Sequence, residues 1–270
     1  MSEYKQELKA VKSAVKQAGE AAMEYYGEDL DPDTHYKADD SPVTKADLAA
    51  QKALEKKLDQ FGYGMLSEER ADDKTRLKKD EVWVIDPLDG TKDFLQQTGD
   101  FSIMVALAVE GQIKLGAVYV PAEEKLYFAQ ENEGAFVQHS DQDPIPISVS
   151  IEDRPQDMKM LVSRNHLLEP EQKAAEKLGI GEMIPCGSAG LKISKIAAGE
   201  AHIYINSSSK TDEWDIAAGD IILSEAGGGL TDSKGESFEY NKRNTKNELG
   251  YIASSGEIHN EIIKELTNHI

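Results

Sequence analysis

The period of the apolar residues changes near residue 81, and that change restricts the chain to a mixed α/β fold. Over residues 3–26, Leu8, Val11, Val15, Ala18 and Ala22 recur at three- and four-residue steps, which marks one face of a helix. A second helix is expected over residues 46–61, with Leu48, Leu54, Leu58 and Phe61 apolar. The polar residues 29–42 between them, with Pro32 and Ser41-Pro42, read as a loop. Glu81-Val82-Trp83-Val84-Ile85-Asp86 is then a β-branched run, and Pro87 is expected to stop it. Residues 102–109, 114–120 and 125–129 read as an antiparallel meander punctuated by Gly111, Pro121 and Gly134.

The second half alternates differently. Strands are expected at 158–162, 201–205 and 250–253, and helices at 170–178, 191–198, 214–226 and 257–266. Gly227-Gly228-Gly229 ends the third of these helices. Residues 141–146 hold two prolines and mark a boundary between two lobes, 1–147 and 148–270. Two sheet-forming blocks interleaved with helices predict a layered α/β sandwich.

Composition narrows the function. With 39% apolar residues in 270, a sizeable core is available. The 50 acidic against 30 basic residues give a net charge of −20, which repels a nucleic acid polymer. A small phosphorylated substrate is compatible if cations neutralise its site. The lone Cys186 precludes an intramolecular disulfide and fits a reducing compartment. The charged start without an apolar core and the lack of a long apolar run lead us to expect a cytoplasmic protein with no strong membrane signal.

Three acidic motifs stand out: Ser67-Glu68-Glu69, Asp86-Pro87-Leu88-Asp89-Gly90-Thr91 and Trp214-Asp215. Taken singly they are ordinary: a solvated pair, a capped turn and a helix start. Asp86 and Asp89, on a turn closed by Gly90, can nevertheless converge on one point. Buried carboxylates need neutralising, and without a His or Cys cluster the chemistry favours magnesium or manganese over zinc. If Lys92-Asp93-Phe94-Leu95 is a helical turn, the N–H groups that open it suit a phosphate.

In combination the motifs are recognisable. Leu66-Ser67-Glu68-Glu69, Trp83-Val84-Ile85-Asp86-Pro87-Leu88-Asp89-Gly90-Thr91-Lys92-Asp93-Phe94 and Glu213-Trp214-Asp215-Ile216-Ala217-Ala218-Gly219 resemble, in order and spacing, the inositol monophosphatase-like superfamily. Ser41-Pro42-Val43-Thr44-Lys45-Ala46-Asp47 is similar to its upstream motif, and Ser224-Glu225-Ala226-Gly227-Gly228 to the stretch after its last metal ligand. The resemblance implies an αβαβα sandwich of the inositol monophosphatase/fructose-1,6-bisphosphatase type, and a lithium-sensitive, magnesium-dependent phosphomonoesterase. It implies that Glu68, Asp86 and the Leu88 carbonyl hold one ion and Asp86, Asp89 and Asp215 a second, with Glu68 reaching a third through water. It gives catalytic roles to Glu68, Asp47 and Thr91, the last two as the pair that polarises the attacking water. Gly90 and Thr91 would offer N–H groups to the phosphate. The resemblance also implies a monomer or a homodimer.

Lys92, Gly187-Ser188-Ala189-Gly190-Leu191-Lys192 and Leu161-Val162-Ser163-Arg164-Asn165-His166 resemble the 3′(2′),5′-bisphosphate nucleotidase branch. That implies nucleotide contacts from Ser188 and Lys192, a Lys92 ammonium facing a second phosphate, and adenosine 3′,5′-bisphosphate as substrate. Some branch members carry an arginine shortly before the Trp-Asp motif; residues 206–213 have none, and Lys210 offers a charge without the bidentate fork. The alternatives are an inositol monophosphatase or broad sugar-phosphate phosphatase and, in another class, a non-catalytic metal-binding regulatory protein. His166 is expected to line the substrate pocket and the other histidines to lie on the surface. Cys186 is expected to be a small buried residue.

Overall fold

In the computed structural model, which describes residues 3–27, 35–36, 42–152, 154–165, 167–256 and 258–267, strand residues alternate between two covered faces. The first sheet contains β3 (Gly64–Ser67), β4 (Glu81–Asp89), β5 (Ser102–Val109), β6 (Gln112–Val120), β7 (Lys125–Gln130), β8 (Gly134–His139) and β9 (Ile145–Ile147), in that spatial order. Only β3–β4 is parallel; the other pairs are antiparallel. Upstream, β1 (His35–Tyr36) and β2 (Pro42–Val43) pair inside a stretch expected to be loop, most of which lies outside the described residues. The second sheet has the order β11 (Glu182–Cys186), β10 (Lys159–Ser163), β12 (Ile203–Asn206), β14 (Tyr251–Ser255), β13 (Gly228–Thr231).

The alternation assigns the layers. Trp83, Ile85, Ile103, Val105 and Leu107 face α1 (Lys5–Met23) and α2 (Lys45–Leu58), meeting Val11, Val15, Ala18, Ala50 and Leu54. Their neighbours Val82, Val84, Met104 and Ala106 face the other way, onto α5 (Ala189–Ala197) and α6 (Ala217–Glu225). The same central cluster takes Leu161, Tyr204 and Ala253 from the second sheet. Met160, Val162, Ile203 and Ile252 turn outward onto α4 (Glu169–Leu178) and α7 (Ile258–Thr267). The result is α1α2, sheet, α5α6, sheet, α4α7: the αβαβα order. Sheets covered on both faces need apolar residues at successive positions, which explains the unbroken runs in β4 and β5. At Gly116 the central layer is so close that a Cβ would stand 2.7 Å from Ile221 Cγ2.

Several expectations are corrected. Pro87 does not end its strand: β4 runs through to Asp89. The helix expected over 214–226 is a 3₁₀ turn, Glu213–Asp215, followed by α6. Leu48 is 53% exposed, since the Thr44 cap turns Ala46, Ala50 and Leu54 inward instead. His202 and His259 are buried, bonded to the Lys159 N–H and to Ser254. No helix among the described residues is long and apolar enough to cross a membrane.

One ionisable group inside the fold is independent of the acidic motifs. Asp220 on α6 accepts a 2.5 Å hydrogen bond from the Tyr240 hydroxyl, and burial pushes its carboxyl up to about 6. A raised folded value favours the fold below the ordinary carboxylate range, and that contribution is lost as pH rises through about 6. Asp220→Asn should therefore narrow the difference in stability between pH 4 and pH 7, measured by urea unfolding of chelator-treated protein. An unchanged pH dependence would contradict this reading.

Candidate active site

Side chains three apart on a regular strand point to opposite faces, so Asp86 and Asp89 cannot both reach one ion from an unbroken β4. The pairing shows how they do. Asp86 lies opposite Met104 and Asp89 opposite Ser102, with a register shift between them. Three steps on β4 are matched by two on β5, the mark of a bulge, which re-aims the side chains beyond it. Both carboxylates thereby face the central helical layer. Pro87 fits here because it has no N–H to leave unpaired where the ladder is interrupted. The Leu88 N–H bonds back to Asp86 Oδ1 at 3.0 Å.

Asp215 enters from the opposite side, at the end of the turn before α6. Its Oδ2 accepts the Asp212 N–H at 2.5 Å, so the carboxylate closes the turn that carries it. One oxygen each from Asp86, Asp89 and Asp215 lies within 4.8 Å of the others. Glu68 stands outside this group, on the segment that continues β3 alongside β4, where its N–H meets Ile85 O at 3.3 Å. Its charge still acts on Asp86 and Asp215.

The electrostatics are one-sided. Burial, then the charges of Glu68, Asp89 and Asp215, push the Asp86 carboxyl well above the usual range. Burial and Asp89 do the same to Asp215. Asp89 is raised by burial, but the Ser188 hydroxyl, the Lys192 charge and the N–H groups of Gly190 and Ala189 oppose the rise. Mutually repelling, oxygen-only donors fit a hard divalent cation, which would relieve what raises them.

The other motif residues surround this triad. Thr44 and Asp47 form the capping box that starts α2, with the Thr44 hydroxyl donating to Asp47 Oδ2 at 2.5 Å. The other oxygen of Asp47 is 3.2 Å from Thr91 Oγ1, which also lies 3.3 Å from the Leu88 carbonyl. Burial pushes the Asp47 carboxyl up to about 6. Gly90 has a φ of 95° and begins α3 (Thr91–Leu95), where a Cβ would press within 2.9 Å of the Asp100 carbonyl. Lys92 follows on α3 and is partly buried.

Two residues expected at the substrate make hydrogen bonds within the framework. Ser188 is buried, caps α5 and donates to Asp89 Oδ2 at 2.5 Å, at a φ of 52° that is uncommon for a residue with a side chain. Lys192 is only 3% exposed: its ammonium bonds the Cys186 and Ser188 carbonyls at 3.2 and 2.8 Å and lies 4.6 Å from the Tyr204 ring centroid. Cys186 is buried, with its thiol pushed up to about 11 by burial. His166 lies outside the described residues.

Sequence reasoning gave no role to a second cluster. Arg164 Nε donates to Asp93 Oδ1 at 3.0 Å and its Nη2 to Asp100, while Asn165 donates to Asp93 Oδ2 at 2.9 Å. This cluster ties the end of β10 to α3. Arg164 and Asn165 lie within the quoted branch motif and Asp93 within the Asp-Gly-Thr-Lys-Asp-Phe stretch, which is the signal that could have suggested it.

The sequence model of the inositol monophosphatase family matches residues 3–270. The 3′(2′),5′-bisphosphate nucleotidase CysQ of Aggregatibacter actinomycetemcomitans is 33% identical over 242 residues, 87% of this chain and 88% of that protein. Among solved structures, CysQ from Bacteroides thetaiotaomicron, a bacterial member of the inositol monophosphatase family, superposes with a TM-score of 0.80 at 29% identity, covering 94% of this chain and 98% of that one. The extragenic suppressor protein suhB of Bartonella henselae superposes with a TM-score of 0.84 at 26% identity, over 98% and 100%.

If repulsion governs the triad, Asp86→Asn should melt a few degrees above the unmodified protein in chelator, because the amide can still accept the Leu88 N–H while one charge is gone. Adding magnesium should raise the melting temperature of the unmodified protein and leave the variant nearly unmoved. A variant that melts lower in chelator and still responds to magnesium would contradict the account.

Proposed function

We propose that this chain, which belongs to the inositol monophosphatase family and is a phosphatase, is a magnesium-dependent 3′(2′),5′-bisphosphate nucleotidase that converts adenosine 3′,5′-bisphosphate to AMP and phosphate. The observation that carries the chemistry is the placement of the Asp47–Thr91 pair beside the three converging carboxylates. The nucleotidase relatives support the substrate.

Asp86, Asp89 and Asp215 would hold the cation, with Glu68 and the Leu88 carbonyl as further oxygen donors beside them. Bound magnesium supplies Lewis-acid activation of water and offsets the charge on the phosphoryl oxygens. Ionised Asp47 accepts a hydrogen bond from the Thr91 hydroxyl, which turns the Thr91 oxygen lone pairs outward to receive a hydrogen bond from the attacking water. The backbone N–H groups of Gly90 and Thr91 start α3 and would cradle the phosphate, and Gly90 lets the chain make that turn. Lys92 adds a cation on the same short helix. Ser188 and Lys192 act through Asp89, holding its orientation and its charged form. No covalent enzyme intermediate is needed, because positioning and electrostatics carry the transfer.

Two measurements test this reading. The kcat/KM for adenosine 3′,5′-bisphosphate should exceed that for inositol 1-phosphate by more than about a hundredfold; the reverse preference would make the chain an inositol phosphatase. Asp89→Asn should reduce turnover by about a thousandfold or more while the far-UV circular dichroism stays unchanged. Near-normal turnover would remove Asp89 from the cation site.

A further inference from the structure

Arg76 is 2% exposed and Glu213 fully buried, and neither belongs to the carboxylate triad. Glu213 stands two residues before Asp215, on the same turn. Its carboxylate accepts the backbone N–H of Asn241 at 2.6 Å and of Lys242 at 2.9 Å, and its own N–H donates to the Thr245 carbonyl at 3.0 Å. Arg76 grips the same two residues by other atoms. Nη1 donates to Asn241 Oδ1 at 2.6 Å and Nη2 to the Lys242 carbonyl at 2.8 Å. Asp72 holds the guanidinium in place, accepting from Nε at 3.1 Å and Nη2 at 2.8 Å. Alongside, Lys74 Nζ reaches the Arg243 carbonyl at 3.2 Å.

Arg76 is also seated against the first sheet. A Cβ at Gly64 would stand 3.2 Å from Arg76 Cα, so the start of β3 rests directly on it. β3 pairs in parallel with β4 and leads into Glu68. Residues 241–242 are thus tied to the Asp215 turn by one buried side chain and to the β3–β4 edge by another. Asn241 has a φ of 61°, a left-handed conformation that asparagine tolerates better than most residues.

We propose that Arg76 and Glu213, acting through residues 241–242, are positioning residues that fix the distance between Asp215 and the bulged end of β4, and so set the affinity for the divalent cation. The proposal rests on the reading of Asp86, Asp89 and Asp215 as a cation site. Carboxylates that repel one another move apart unless a frame resists, and the clamp is a buried frame joining the Asp215 turn to the β3–β4 edge at Gly64 and Val82, on the strand that carries Asp86 and Asp89. Losing the Arg76 guanidinium leaves the Asn241 Oδ1 and the Lys242 carbonyl without their donor. Partners outside the ligand set commonly change metal affinity by about ten- to a hundredfold when altered.

The test is Mn²⁺ binding to the full, chelator-treated chain, followed by calorimetry and by electron paramagnetic resonance, alongside kcat at saturating Mg²⁺. Arg76→Lys keeps the charge and loses the fork, and should weaken Mn²⁺ binding about tenfold or more while kcat at saturating metal stays within about threefold. Asn241→Gly keeps the left-handed backbone and the N–H to Glu213 while deleting the acceptor for Arg76. It should weaken binding in the same direction, and the double variant should be no weaker than Arg76→Lys alone. Asn241→Gly decides the matter if Arg76→Lys yields no folded protein. Wild-type Mn²⁺ affinity in these variants, with or without a lowered melting temperature, would overturn the clamp. Wild-type affinity in Asp86→Asn would overturn the cation site itself, and the clamp with it.

Discussion

One extra residue in β4, between Asp86 and Asp89, is the constraint on which the site depends. Without it the pleat sends the two carboxylates to opposite faces of a sheet that is covered on both. With it they share a face and meet Asp215. Unit charges within 4.8 Å repel by on the order of 3 kcal/mol per pair at an effective dielectric of about 20. No stability argument favours such a cluster in the absence of a cation, so the surrounding fold has to hold it against its own electrostatics.

The holding is done by helix starts. Asp47 closes the capping box of α2. Asp89 accepts the N–H of Gly190, near the start of α5, and the hydroxyl of Ser188, its cap. Asp215 accepts the Asp212 N–H at the turn that precedes α6. Each of these carboxylates thus meets backbone N–H groups at the beginning of a helical segment, where partial positive charge gathers. Lys192, in the first turn of α5, adds its ammonium, and two carbonyls and the face of Tyr204 solvate it, which explains why a lysine can be buried there. Different elements therefore converge on one point, and each of these carboxylates is oriented by its own local motif.

Much of this was legible in the sequence, because it follows from local rules. Helical steps in α1 and β-branched runs in β4 and β5 gave the layers, and the spacing of the acidic motifs gave the family resemblance. The bulge was not legible. Pro87 reads as a stop, and only the pairing of Asp86 with Met104 and Asp89 with Ser102 reveals that the strand continues with a shifted register. Lys192 was expected to contact the nucleotide; its burial depends on the carbonyls of Cys186 and Ser188, which helix periodicity cannot place. His202 and His259 were read as surface residues because their partners lie on other elements: Lys159 for His202, and Thr231 together with the nearby Ser254 for His259. The Arg76–Asn241 contact joins residues 165 positions apart, beyond the reach of any local pattern.

A cation between the bulged end of β4 and the Asp215 turn is the central requirement of the proposed site. Its most direct test is crystallography of the protein grown with manganese, with diffraction recorded at the manganese absorption edge. The account predicts anomalous density bonded to oxygens of Asp86, Asp89 and Asp215, with Asp86 and Asp89 on one face of the sheet. Anomalous density absent from that point at saturating manganese, or a β4 in which the two carboxylates diverge, would contradict it.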